Sequence, residues 1–236
     1  PGAQEKIINS LAASGVPVVV LLMTGSAVTM ESWFNHVPGI LQVWYPGEEG
    51  GRAVADVLFG DYNPGGKLPI TFPRHSGQTP LYYNPKPTGR GWDYVDLSGQ
   101  PLFPFGHGLS YTSFEYRDLR IEPDKITPAA GEEKIAIQAK IKNTGDYRGE
   151  EVVQLYLRDP IASVARPIKE LKGFERVSLE PGEEKTVRFI LKTSDLAFLD
   201  CNLKPTLEPG EIEIMVASSS ADIRLNGKLK VEAKNQ

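Results

Sequence analysis

A single cysteine, Cys201, is all the thiol chemistry this 236-residue chain contains. One cysteine excludes an internal disulfide and any multi-cysteine metal site, and Cys201 is expected to be an inert core or loop residue. Long apolar runs are scarce too. The richest, Val16 to Thr24, falls well short of the ~18 residues that a membrane span needs, and nothing at the start has the make-up of a signal peptide. Positive charge is not in excess: 26 Lys and Arg stand against 30 Asp and Glu, for a net charge of −4. The basic residues form no dense run, so neither nucleic acid nor an acidic membrane surface is an expected partner. Glycine and proline are plentiful, at 23 and 19, but spread out, which excludes a collagen-like or low-complexity chain. The chain opens on Pro1-Gly2 without a Met, and is expected to be a piece of something longer.

What is present divides in three. Residues 1–73 alternate helix and strand. Gln4 to Ser14 carries Ile7, Ile8, Leu11 and Ala12 on one helical face, with Gly15 as the stop. Val16 to Met23 is nearly uniformly apolar and rich in valine, the pattern of a strand covered on both faces in a parallel sheet. A helical turn or two follows around Met30 to Asn35, then a second buried strand from Gly39 to Trp44. Glu49 to Phe59 reads as a helix that Gly60 ends, and Lys67 to Phe72 as a short third strand. That order implies a parallel sheet with helices packed on it. Residues 74–112 lose any period and gain proline, glycine and aromatics, as a connecting arm does. Phe103, Phe105, Tyr111 and Phe114 carry too much apolar area to leave in water, so the arm is expected to be pinned by them.

From residue 113 to residue 236 the pattern is all-β. Ile135, Ile137, Ala139 and Ile141 alternate with polar residues, as do Val153, Leu155 and Leu157, then Val187, Phe189 and Leu191, then Ile212, Ile214 and Val216. Turn signals separate them at Asn143 to Asp146, Pro181 to Glu183 and Pro209 to Glu211. About seven such strands make a sandwich, and without a Cys…Trp…Cys signature the fibronectin type III-like form fits best. The fold class is therefore α/β followed by all-β: a partial α/β sandwich with parallel strands, then a β-sandwich.

Candidate chemistry is sparse. The turn Trp44-Tyr45-Pro46-Gly47-Glu48-Glu49-Gly50-Gly51 precedes a helix, but two carboxylates at a helix start repel phosphate, and the Gly-x-Gly-x-x-Gly spacing is missing. Nor do Glu48 and Glu49 make a catalytic pair. Such carboxyls face each other across a bond at roughly 5–9 Å, whereas adjacent residues at a helix start diverge. Asp56 and Asp61 have no evident partner. His36, His75 and His107 lack metal-pair spacing, and no Gly-x-Ser-x-Gly elbow occurs. No metal or other cofactor is expected. Arg90-Gly91-Trp92-Asp93-Tyr94 combines an arginine, aromatics and a carboxylate, a set able to contact a sugar; an ordered loop in which Trp92 fills a gap is the competing reading.

Four stretches together carry a resemblance. Residues 40–51 read I-L-Q-V-W-Y-P-G-E-E-G-G and continue through R-A-V-A-D-V-L-F-G-D to Y-N-P-G-G-K-L-P-I-T-F-P at 62–73. Residues 101–112 read P-L-F-P-F-G-H-G-L-S-Y-T. Residues 150–157 read E-E-V-V-Q-L-Y-L, and 167–174 P-I-K-E-L-K-G-F. The first resembles the second, α/β sandwich domain of family 3 glycoside hydrolases, of the β-glucosidase type. The next resembles that family's bridge into its last domain, and the rest resembles that fibronectin type III-like last domain. His107, Phe198 and Ala217 stand where tyrosine, tryptophan and glycine are common in the family. The resemblance implies a retaining enzyme that removes terminal β-linked glucose from glucosides and oligosaccharides. Its aspartate nucleophile lies on a preceding barrel domain and its acid/base glutamate shortly before the match to Pro1. Neither has a counterpart here, so no catalytic residue is expected within the chain, and the substrate-binding residues are not assigned. A periplasmic or secreted location follows from the family. A β-xylosidase of the same family, and a stand-alone carbohydrate-binding or interaction module, are the competing readings.

Overall fold

The computed structural model describes residues 2–89, 93–127 and 132–233. The chain forms two compact units. One comprises Pro1–Tyr62, Ile70–Leu81 and Trp92–Phe103; the other comprises Asn63–Pro69, Tyr82–Gly91 and Pro104–Gln236. The segment read as a connecting arm is thus shared between them, and so is the stretch read as a third strand.

In the first unit, α1 (Gly2–Ala12), β1 (Val19–Leu22), β2 (Gly39–Gln42) and α2 (Gly50–Phe59) follow the expected order. β1 and β2 pair in parallel, Val19 opposite Gly39 and Leu22 opposite Gln42. Gly60 ends α2 in the left-handed region at φ 88°, and its amide bonds the Val57 carbonyl. Two expectations are corrected. β1 is not covered on both faces, since Val19 and Leu21 are exposed. Two strands are all that the described residues supply to this sheet, so each is an edge and its apolar side chains lack a second layer. Lys67 to Phe72 is not a strand. Its first half bonds within the other unit, while Phe72 forms an isolated antiparallel bridge to Phe103. The core here is small: Met30, Trp33, Phe72 and Leu102 are buried. Phe34 meets Phe103 edge-on at 6.0 Å, and Trp44 meets Phe72 at 6.2 Å.

The second unit is a sandwich with seven long strands: β3 (Phe114–Glu122), β5 (Lys134–Asn143), β6 (Gly149–Arg158), β7 (Glu170–Leu179), β8 (Glu184–Lys192), β11 (Gly210–Ala217) and β12 (Ile223–Val231). Two-residue strands β4 (Lys125–Ile126), β9 (Phe198–Leu199) and β10 (Pro205–Thr206) and one helical turn, α3 (Thr193–Leu196), fill the connections. One sheet runs β4-β12-β11-β6-β7 and the other β3-β5-β8. The alternation read from the sequence is the core. Ile135, Ile137, Ala139 and Ile141 of β5 point inward, with Val153, Leu155 and Leu157 of β6, Val187, Phe189 and Leu191 of β8, and Ile212, Ile214 and Val216 of β11.

The outward face of β6 and β11 is covered as well. Tyr156, Met215 and Ala217 are buried beneath Tyr83, Phe105, Leu171 and Ile223. Tyr83 stacks on Phe105 with ring centroids 4.4 Å apart and meets Tyr156 edge-on at 5.9 Å, and its hydroxyl accepts a bond from the Leu171 amide at 3.1 Å. Of the four aromatics expected to pin the arm, Phe103, Phe105 and Phe114 are partly buried, but Tyr111 is half exposed. It follows a turn that Asn63 holds from below, Oδ1 accepting from the Ser110 hydroxyl and the Tyr111 amide, so its ring need not be buried to hold the chain.

Gly106 shows how tight this covering is. It sits at φ 79°, and an added Cβ would lie 2.2 Å from Gln154 Oε1. The Gln154 side chain cannot swing away cheaply. Its amide donates to the Gly106 and Ser218 carbonyls at 3.2 and 2.7 Å, and its oxygen accepts from the Tyr156 hydroxyl at 2.6 Å. Gly106→Ala is expected to cost about 2–4 kcal/mol, from left-handed strain plus a disrupted buried amide. A denaturant midpoint unchanged from wild type would refute this.

Candidate functional site

Of the sugar-contacting set proposed from sequence, Arg90, Gly91 and Trp92 lie outside the described residues. Asp93 and Tyr94 close a loop. The Asp93 carboxylate accepts from the Gly99 amide at 2.9 Å and the Ser98 hydroxyl at 3.3 Å, and the Tyr94 amide bonds the Leu97 carbonyl at 2.8 Å. Asp93 is therefore occupied as a turn former. Glu48 and Glu49 are exposed in the turn before α2, which begins from Trp44 at φ 52° and Gly47 at φ 73°. The histidines stand apart: His36 bonds Asn9 at 2.8 Å, His75 accepts from the Gly77 amide at 3.1 Å, and His107 lies in the sandwich unit. Among the described residues no group of His, Cys, Asp and Glu could hold a metal ion. Cys201 is exposed in a turn held by Asp200.

Of the buried polar residues that sequence reading missed, two organise their surroundings most. Gln78 clamps two stretches of the α/β unit, its oxygen accepting from the Arg74 amide at 2.6 Å and its nitrogen donating to the Ser98 carbonyl at 2.9 Å. Glu151 is the second. It has the same parity on β6 as Val153, Leu155 and Leu157, so its side chain enters the sandwich at its end. The parity was the available signal. Lys67 meets Glu151 there at 3.0 Å, with side chains only 13% and 6% accessible, and the Tyr116 hydroxyl donates to the same oxygen, Oε1, at 2.9 Å. Burial, then the Glu151 charge, push Tyr116 far above the usual phenol range, so it stays a donor.

A second charge pair lies alongside. Asp222 Oδ2 accepts from the Ser218 hydroxyl at 2.5 Å and from Arg224 Nε at 2.9 Å, with Arg224 Nη2 at 2.7 Å. Burial raises the Asp222 pKa, but Ser218 and Arg224 outweigh it and hold the carboxyl below its usual range. Arg224 also lies over the Tyr116 ring, 5.8 Å from its centroid. Together with His107, Leu109, Phe114, Ser218 and Ser219, these residues line a cavity of about 350 Å³.

Burial, and then the Lys67 ammonium, lower the His107 pKa from 6.5, against a weaker pull from Asp222. The native state thus resists a proton that the unfolded chain accepts. This contribution to stability is full above pH ~6.5 and is lost as pH falls toward the lower folded value. Between about pH 7.5 and 5, the wild type is expected to lose more thermal stability than His107→Gln; parallel curves would count against it.

Residues 1–111 match the glycosyl hydrolase family 3 C-terminal domain, and residues 151–220 the fibronectin type III-like domain. The chain belongs to glycoside hydrolase family 3. It is 41% identical to a periplasmic beta-glucosidase of Salmonella typhimurium over 95% of this chain and 30% of that protein. It is 43% identical to a beta-xylosidase of Formosa agariphila over 94% of this chain and 31% of that one. A beta-glucosidase of Listeria innocua, solved in complex with glucose, superposes on 98% of this chain with a TM-score of 0.92 and 37% identity, and 33% of its own length is covered. This glycoside hydrolase family 3 chain therefore spans about a third of the relatives it matches. No helix of it is long and apolar enough to cross a membrane, among the described residues.

Proposed function

We propose that the chain is the C-terminal portion of a retaining β-glucosidase that releases terminal β-linked glucose from glucosides and oligosaccharides. In this reading the nucleophile and the acid/base belong to sequence upstream of Pro1, the nucleophile on a barrel domain. The chain supplies part of the α/β domain and the fibronectin-like domain. The observation that carries the reading is the match along nearly the whole chain to beta-glucosidases, including the thermostable beta-glucosidase B of Acetivibrio thermocellus at 42% identity over 99% of this chain. A periplasmic or secreted location is part of the proposal, supported by the likeness to the periplasmic beta-glucosidase of Salmonella typhimurium.

A β-xylosidase is the second reading, favoured by the 43% identity to the Formosa protein. The two sugars differ by one hydroxymethyl group, which a pocket in the absent portion would have to sense. The test is the full-length gene product on aryl β-glucoside and aryl β-xyloside, with the anomer released first followed by proton NMR. Higher kcat/KM on the glucoside with a β-anomer product supports the proposal. Preference for the xyloside turns it to the second reading, and an α-anomer excludes a retaining mechanism.

A further inference from the structure

The cavity beside Glu151 has a chemistry of its own. Its charged lining holds two cations, Lys67 and Arg224, and two carboxylates, Glu151 and Asp222, already paired with each other. Burial and Lys67 together hold His107 toward its neutral form. An incoming anion or cation would meet an equal opposing charge, so the electrostatics favour a neutral ligand.

Each pair sets a donor beside an acceptor. Lys67 and the Tyr116 hydroxyl both bond Oε1 of Glu151, and Ser218 and Arg224 bond Oδ2 of Asp222. The second oxygen of each carboxylate retains acceptor capacity, and the Lys67 ammonium has three N–H groups, more than its pairing to Glu151 uses. A hydroxyl is a neutral group that can donate to a carboxylate and accept from an ammonium through one atom, and two adjacent hydroxyls can span such a pair. Because the charges are oriented by each other, binding needs little reorganisation. Leu109 and Phe114 add an apolar wall suited to ring C–H groups. The volume, about 350 Å³, lies at the lower end of the roughly 300–1,000 Å³ typical of small-molecule sites, which limits the ligand to about one ring.

We propose that this cavity of the sandwich unit binds a single neutral pyranose through its vicinal hydroxyls. The site uses no hydrolytic carboxylate pair and stands whether or not the parent enzyme is a glucosidase.

The test is an amide-shift titration of the isotope-labelled 236-residue chain with D-glucose, D-xylose and, as an anion control, sodium sulfate. The expected result is saturable shifts with a sugar at residues 107–116, 151 and 218–224. Asp222→Asn should weaken binding about tenfold or more, since a bond to a charged acceptor is lost. Should Asp222→Asn fail to fold, Ser113→Trp provides a second variant. Ser113 is exposed on the rim and its carbonyl, not its side chain, accepts from Thr144, so the tryptophan should block entry while leaving the spectrum folded. Shifts that map elsewhere, no saturation by either sugar, stronger binding of sulfate, or unaltered binding in a folded Ser113→Trp would each overturn the proposal.

Discussion

Purified by itself, the 236-residue chain is expected to hydrolyse an aryl β-glucoside at least about a thousandfold more slowly than the full-length enzyme. Retaining hydrolysis needs two carboxyl groups roughly 5–5.5 Å apart on either side of the bond, one of them held protonated. The acidic residues described here are poorly suited to that task. Glu48 and Glu49 are adjacent and exposed, Asp56 and Asp61 lie on or just beyond α2, and Asp93 is taken up by its turn. Glu151 and Asp222 are committed to Lys67 and Arg224. Burial holds the Asp159 carboxyl above its usual range, and a raised pKa is what a general acid requires. Its acidic neighbours are engaged, however: Glu170 with Arg166, and Glu208 with the Ser163 amide. Release of nitrophenol by the isolated chain and by the full-length enzyme, at equal molarity, checks this. A rate close to that of the full-length enzyme would point first to Asp159.

Lys67→Met is expected to destabilise the sandwich unit by about 3–5 kcal/mol, because it deprives the Glu151 side chain, only 6% accessible, of its cation and leaves the Tyr116 hydroxyl as its partner on Oε1. For a unit of this size that corresponds to a fall of roughly 10 °C in Tm. The double variant Lys67→Met with Glu151→Leu separates charge from packing. It removes both charges, so it should recover much of the loss that the single variant suffers. Urea unfolding followed by circular dichroism measures all three proteins. A single variant within about 1 kcal/mol of wild type would mean that Glu151 takes up a proton or reaches water, and the buried-pair account would fail.

The strands of the sandwich were legible because their alternation repeats a choice made at every second residue. Ile135 to Ile141 and Val187 to Leu191 face the core as the pattern requires. On β6 the same rule takes in Val153, Leu155 and Leu157 and also reaches a charged residue. Glu151 shares their parity, and a carboxylate there is tolerable only because Lys67 and Tyr116 arrive to meet it. Gln154 and Tyr156 have the opposite parity and are buried too, since Tyr83 and Phe105 cover that face. Alternation describes one strand's two faces; it carries no information about what another segment lays over either of them.

The sequence by itself determined the helix–strand order of the first unit apart from a third strand that does not form, the change from α/β to all-β, the parallel pairing of β1 with β2, the inward faces of β5, β6, β8 and β11, and the family, because each is written in local periodicity or contiguous motifs. The tertiary structure alone decided that Asn63 to Pro69 belongs with the sandwich. Leu68 bonds the His107 carbonyl at 2.8 Å, Asn63 reaches the Arg148 carbonyl at 2.9 Å, and Lys67 finds its carboxylate on β6. It alone also decided that β1 stays partly uncovered and that six charged or titratable side chains from four separate stretches share one cavity. The physical reason is common to all three. Each depends on partners tens of residues apart in the chain, and the energy of a buried charge or an apolar face is set by what surrounds it rather than by its neighbours in sequence.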